Sequence, residues 1–402
     1  MDSFVFGSYS LDESRMVISF EYSTGALRYI ERITLPRPIP SSVDGTLLDR
    51  LLFNLHLALG ISYWKMQCNP KIEVKSGTLN KDQALFWETV YTKGLGEFYY
   101  RNTIDFRSLV SFPFENGAKD EPRQGAFANR QLVGIGGGKD SLVTWERLKK
   151  DKVDATGLIV ETQKKYSTLD ELLAVGSIPV IRVERTMDKI LIEQKNNPTS
   201  LNGHIPISMI YAWVGLVCSA AYDYSAFVAS NEKSANEGNT EYLGMTINHQ
   251  WSKSEEFEHL LNQYVHRWIT PDLTYYSPLR QKTELEIVKE FVSYPQYFPV
   301  FSSCNRNFSI GNALQGKRWC GQCPKCAFAF LMFAAYLPKK QVIDIFEKDM
   351  LADSNLLPLF RDLGGRGNLK PFECVGTFDE VQEALTLIQK KGEFTVPAEL
   401  LA

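Results

Sequence analysis

The chain has 402 residues, 44% of them hydrophobic and 23% charged, so it can bury a large core and lies outside the disordered class. That length exceeds what one core usually serves, which predicts two domains or one with large additions. A formal net charge of −3 gives no electrostatic reason to expect a nucleic-acid or anionic-membrane partner.

The opening residues, MDSFVFGSYSLDESR, contain no basic segment leading into an apolar one, so no secretory signal is read. FVFGSYS, MVISFEYS and ALRYIERITL alternate in the manner of strands and predict a small antiparallel meander, ended by Pro36, Pro38 and Pro40. Helical periodicity follows from Leu47 to Leu59 and again from Lys81 to Tyr100. The polar stretch Glu115 to Arg130 is the best linker in the chain.

Beyond it the pattern changes. Gln131–Ile135, Ala155–Val160, Ile178–Val183 and Ala226–Ala229 read as buried strands with helical segments between them. That order predicts an α/β fold, a parallel sheet with helices on both faces. The uncharged run Ile205–Tyr222 approaches spanning length but opens on Pro206 and is followed at once by Asp223, so it reads as a buried helix. Further helices are expected at Ala327–Tyr336 and Phe378–Lys390. The division expected is a β-rich and helical N-terminal domain over 1–125, a central domain over 126–300 and a helical C-terminal region over 301–402.

GIGGGKDS, residues 134–141, has the look of a phosphate cradle. A Walker A loop needs a Gly five places before its Gly-Lys pair and a hydroxyl residue after the Lys; here those positions are Val133 and Asp140. The dinucleotide pattern GxGxxG fails as well, because its third glycine falls on Lys139. The octet does resemble the S-G-G-x-D-S loop of the PP-loop ATP pyrophosphatases, with Gly136 in the place of the first Ser. Gly136, Gly137 and Gly138 would let backbone N–H groups close on an anion at a helix start. Lys139 belongs to the same loop, Ser141 can donate to a phosphate, and Asp140 can hold Mg²⁺ or cap the helix. The chemistry implied is adenylation by ATP with loss of pyrophosphate.

Seven cysteines make an odd set for disulfides, and Cys320, Cys323 and Cys326 form two overlapping CxxC steps. This spacing predicts a closed structural site for Zn²⁺, ahead of an iron–sulfur cluster, with Cys304 as fourth ligand and Cys374 as the alternative. Such usage fits a reducing compartment, and the cytoplasm is the expected location.

The strings FGSYSLD, GIGGGKDS, GHIPIS, SNEKSANEGN, NHQWSKSEEFE, SCNRNF, RWCGQCPKC and KPFECVG resemble the UDP-N-acetylmuramoyl-L-alanyl-L-glutamate epimerase family over nearly the whole chain. The shorter set of a PP-loop and a late cysteine cluster also resembles the deazaguanine synthases, which lack the N-terminal β region. The epimerase resemblance implies an ATP- and Mg²⁺-dependent isomerase that acts on a UDP-sugar dipeptide in peptidoglycan precursor synthesis. It implies conversion of a terminal L-Glu to D-Glu through a carboxyl adenylate, with release of AMP and pyrophosphate. A ligase acting on a small carboxylate and a tRNA-thiolating enzyme are the competing readings.

For the proton transfers the candidates are Glu232 and Lys233 after a strand end, His249 and Lys253 in a polar loop, and Cys374 in a turn. Each has a plainer reading: His249 as a structural histidine, the lysines as phosphate binders, Cys374 as an inert buried thiol.

Overall fold

In the computed structural model, residues 2–117, 121–194, 197, 200–307, 314, 317–367 and 369–401 are described. Residues 118–120 of the expected linker and Phe308 of the SCNRNF string lie outside them.

The strands are β1 (Phe4–Leu11), β2 (Val17–Thr24), β3 (Leu27–Thr34), β4 (Ile72–Val74), β5 (Gln131–Gly134), β6 (Ala155–Thr162), β7 (Val180–Thr186), β8 (Ala226–Val228), β9 (Thr240–Tyr242), β10 (Met245–Ile247) and β11 (Thr274–Tyr276). Nine of them form one sheet in the order β11-β8-β5-β6-β7-β3-β2-β1-β4, and β9 and β10 make a separate hairpin. From β11 to β7 every pairing is parallel. The expected meander β1–β3 is antiparallel and joins that sheet through an antiparallel β3–β7 contact, Arg32 opposite Thr186 and Thr34 opposite Glu184.

Both faces of the parallel part are covered, as the near-continuous apolar strands require. Successive side chains alternate between two cores. Leu132, Leu158, Val160 and Phe227 pack with the helices Gly45–Trp64 and Ile207–Tyr222. Val133, Ile159 and Val228 pack with the helices Lys139–Lys150, Glu284–Phe291 and Pro324–Tyr336. The uncharged run is therefore a core helix, and among the described residues no helix is long and apolar enough to cross a membrane.

The single helix expected from Lys81 to Tyr100 is two, Lys81–Gly94 and Gly96–Arg101, which meet at Leu95 with φ −96° and ψ 11°. The side chain of Asn80 caps the first helix and that of Gln83 reciprocates. The break turns the second helix so that Glu97 on it is buried rather than solvated.

Candidate active site

The strand β5 ends at Gly134, and the helix Lys139–Lys150 begins after a four-residue glycine turn. Gly137 has φ +80°, a conformation open to glycine and strained for other residues. Gly136 is different: a Cβ there would meet nothing within 4 Å, so no steric demand fixes its identity. The N–H of Ser302 donates to the Gly137 carbonyl at 2.9 Å, tying the turn to the segment that carries Ser303 to Asn305. Gly138 occupies the N-cap with no side-chain cap bond, which leaves the helix N-terminus facing open space with its partial positive charge.

That open space is a cavity of about 620 Å³, lined by Asp140 and Ser141 on one side and by His249, Lys253 and Cys374 on the other. It shares Gly134, Gly136, Tyr211 and Asn231 with a more apolar pocket of about 380 Å³, walled by Leu158, Val160 and Phe227. The location, beyond the carboxyl ends of β5, β6 and β8, is where open parallel sheets bind ligands. Lys139 points the other way. It is buried and ion-paired with Asp140 at 2.5 Å and with Glu284. Burial alone would lower its pKa, but these two carboxylates raise it, so it stays charged.

Of the five residues considered for proton transfer, three converge. Cys374 sits in a turn held by three bonds: Asn239 Nδ2 to the Pro371 carbonyl at 2.9 Å, Gln250 Nε2 to the Val375 carbonyl at 3.4 Å, and Asn305 Nδ2 to Glu373 Oε2 at 2.6 Å. His249 is fixed by its own N–H, which donates to Asn239 Oδ1 at 2.9 Å, so one asparagine anchors both segments. The ring of His249 hydrogen-bonds Glu97 Oε2 through Nδ1 at 2.5 Å, and it lines the same cavity as the Cys374 thiol, near enough for each to shift the other's charge. Burial pushes the Cys374 thiol up, but the nearby Lys253, Lys325 and His249 outweigh it and bring its pKa to about 6. Burial likewise works against the His249 cation, yet Cys374 and Glu97 raise it to about 9. The pair therefore favours thiolate and imidazolium at neutral pH.

Glu232 is buried behind β8, and its Oε2 has no hydrogen-bond partner among the described residues. Lys233 is exposed and outside the cavity lining. Sequence reasoning did not single out Glu97, His204 or Lys325. The only hint was a charge among the aromatic residues of GEFYY, and no spacing links residues so far apart in the chain.

The sulfurs of Cys304, Cys320, Cys323 and Cys326 all lie within 4.8 Å of one another, with Cys323 to Cys326 at 3.4 Å and Cys320 to Cys326 at 3.6 Å. Tetrahedral ligands about 2.3 Å from one ion stand about 3.8 Å apart, so the group can hold a metal. Cys374 belongs to the cavity instead, and all seven cysteines are free. The cluster sets one wall of the cavity: Cys304 lies between Ser303 and Asn305, and Lys325, between two cluster cysteines, donates to Asn305 Oδ1 at 3.0 Å.

Residues 1–278 match the model of the MurL N-terminal domain, and residues 300–399 that of the MurL C-terminal domain. A protein of Micromonospora sp. named UDP-N-acetyl-alpha-D-muramoyl-L-alanyl-L-glutamate epimerase is 35% identical over 98% of this chain and 88% of its own. A Salinispora tropica protein of that name is 35% identical over 98% of this chain and 86% of its own. One from Xanthomonas oryzae pv. oryzae is 34% identical over 91% and 80%.

Proposed function

Because the chain belongs to the MurL epimerase family, we propose that it converts the terminal L-Glu of UDP-MurNAc-L-Ala-L-Glu to D-Glu in peptidoglycan precursor synthesis, by way of a carboxyl adenylate. The observation that carries this reading is one cavity with a glycine turn and Asp140 on one side and the Cys374–His249 pair on the other. An activation site and a proton-transfer site thus face the same small volume.

The chemistry needs both. An α-proton beside a free carboxylate is very weakly acidic, since its loss makes a dianion. When bound, ATP supplies the group that neutralises the carboxylate as an acyl adenylate, with pyrophosphate as the first product and AMP after hydrolysis. The backbone N–H groups of residues 136–138 and the Ser141 hydroxyl would hold its phosphates, Asp140 its Mg²⁺, and the pocket walled by Leu158, Val160 and Phe227 its base. The Cys374 thiolate takes the α-proton from one face. The ammonium of Lys253, lining the same cavity, is the acid proposed to return a proton on the other. The cysteine cluster, with four sulfur donors and no open position, would hold a structural Zn²⁺. Free thiols and a nucleotide-sugar substrate fit the cytoplasm.

The test is incubation of the purified protein with Mg·ATP and UDP-MurNAc-L-Ala-L-Glu in D₂O. Deuterium at the Glu α-carbon, D-Glu and AMP are the expected products. AMP formed only with ammonia present would transfer the reading to a ligase, and no AMP under any condition would sink it.

A further inference from the structure

We propose that Glu97 is a positioning residue, a carboxylate brought in by the N-terminal half of the chain to orient His249 against the thiol of Cys374. The inference rests on the reading of Cys374 and His249 as part of the proton-transfer machinery.

The geometry singles Glu97 out. Its side chain is only 7% exposed, and a carboxylate this deep must be partnered. Arg101, one turn further along the same helix, donates through Nε to Glu97 Oε1 at 2.6 Å. That ion pair alone would satisfy a structural role. The second oxygen is turned toward two histidines that line the cavity, 2.5 Å from His249 Nδ1 and 3.6 Å from His204 Nδ1. A carboxylate on Nδ1 fixes the ring's tautomer and tilt and stabilises its cation, leaving the rest of the ring for its working partner.

Glu97, His204 and His249 also have the donor set of a metal site. The 2.5 Å contact speaks against that use, because two tetrahedral ligands sharing one ion at about 2.1 Å stand about 3.4 Å apart. It is a short, charge-assisted hydrogen bond between ring and carboxylate.

The surrounding charges agree with a single cation on His249. The His204 ring lies 4.4 Å from that of His249 between centroids, tilted by 47°, and burial, then His249, push its pKa down to about 3, so it is neutral. Lys65 and Arg101 act on His204 in the same sense. Lys253 and Lys325 face Cys374, and Glu97 is the carboxylate that hydrogen-bonds His249.

The test uses the whole chain without nucleotide or substrate: the rate of iodoacetamide alkylation at Cys374, followed by peptide mass spectrometry across pH. In the unaltered protein the rate should rise with a midpoint near 6. Glu97→Gln should move that midpoint up by about one pH unit and lower kcat on the order of 10- to 100-fold with little change in KM. Glu97→Asp should recover part of both. An unmoved midpoint in a folded Glu97→Gln protein overturns the proposal. Should that variant not fold, Glu97→Asp carries the test through a smaller upward shift, and an unmoved midpoint again overturns it. Alkylation needs no substrate, so a shifted midpoint in a chain that fails to epimerise the dipeptide would keep the Glu97 assignment while removing the substrate reading.

Discussion

Arg185 on β7 donates through Nε to Glu31 on β3 at 2.5 Å, with both side chains sealed from solvent. The pair sits where the antiparallel meander meets the parallel sheet, beside the pairing of Ile33 with Arg185. Glu31→Ala strands a guanidinium in the core and should cost about 3–5 kcal/mol in urea denaturation. Glu31→Leu combined with Arg185→Met should recover most of that loss. A cost below about 1 kcal/mol in the single variant would show that the junction relaxes around the charge.

The glycine turn predicts a contrast between neighbours. Gly136→Ser should be nearly neutral for stability, because the added atoms enter open space. Gly137→Ala, held at φ +80°, should cost about 1–2 kcal/mol. Asp140→Ala should abolish AMP formation with the fold retained. Undiminished AMP release would remove Asp140 from the nucleotide site.

Cys374→Ala should separate the two half-reactions. Deuterium incorporation at the glutamyl α-carbon should fall at least about 100-fold. Pyrophosphate release should persist within a few-fold, since the loop is untouched. Loss of both in parallel would mean that Cys374 serves binding or activation rather than proton transfer.

The pH profile of kcat/KM should be bell-shaped. In the proposed base role Cys374 works only when ionised, so activity should fall as pH drops through about 6. His249 supports that thiolate only while protonated, so activity falls again as pH rises through about 9. These are the pair's apparent values. A profile flat from 5 to 10 would contradict the assignment.

Cys323→Ser should lower bound zinc, measured by elemental analysis of purified protein, before it alters any catalytic step. The expected companion is a lower Tm, since the cluster fastens Cys304 to the start of the helix Pro324–Tyr336. Full metal content with unchanged stability would overturn the structural role.

Much of the fold is legible in the chain because it is local. The strand–turn–helix around Gly137, the apolar runs of β6 and β8 and the buried helix Ile207–Tyr222 all follow from periodicity and composition over a few residues. The break at Leu95 was not legible although Gly94 and Gly96 flank it, because the apolar side of Lys81–Tyr100 runs on across the two glycines.

The site divides along the same line. By itself the sequence determined the glycine turn, the cysteine spacing and the family resemblance, because each depends on residues close in the chain or on strings long enough to be specific. It also singled out His249, Lys253 and Cys374 by residue type. Only the tertiary structure decided which of these meet and with whom: Cys304 rather than Cys374 joins the other three sulfurs, Lys139 turns into the core, and Glu97 reaches His249 from 152 residues away in the chain. The reason is physical. A pKa and a proton path depend on distances of a few ångströms between charges, and for residues 97, 249 and 374 those distances are fixed by packing, which no local pattern encodes.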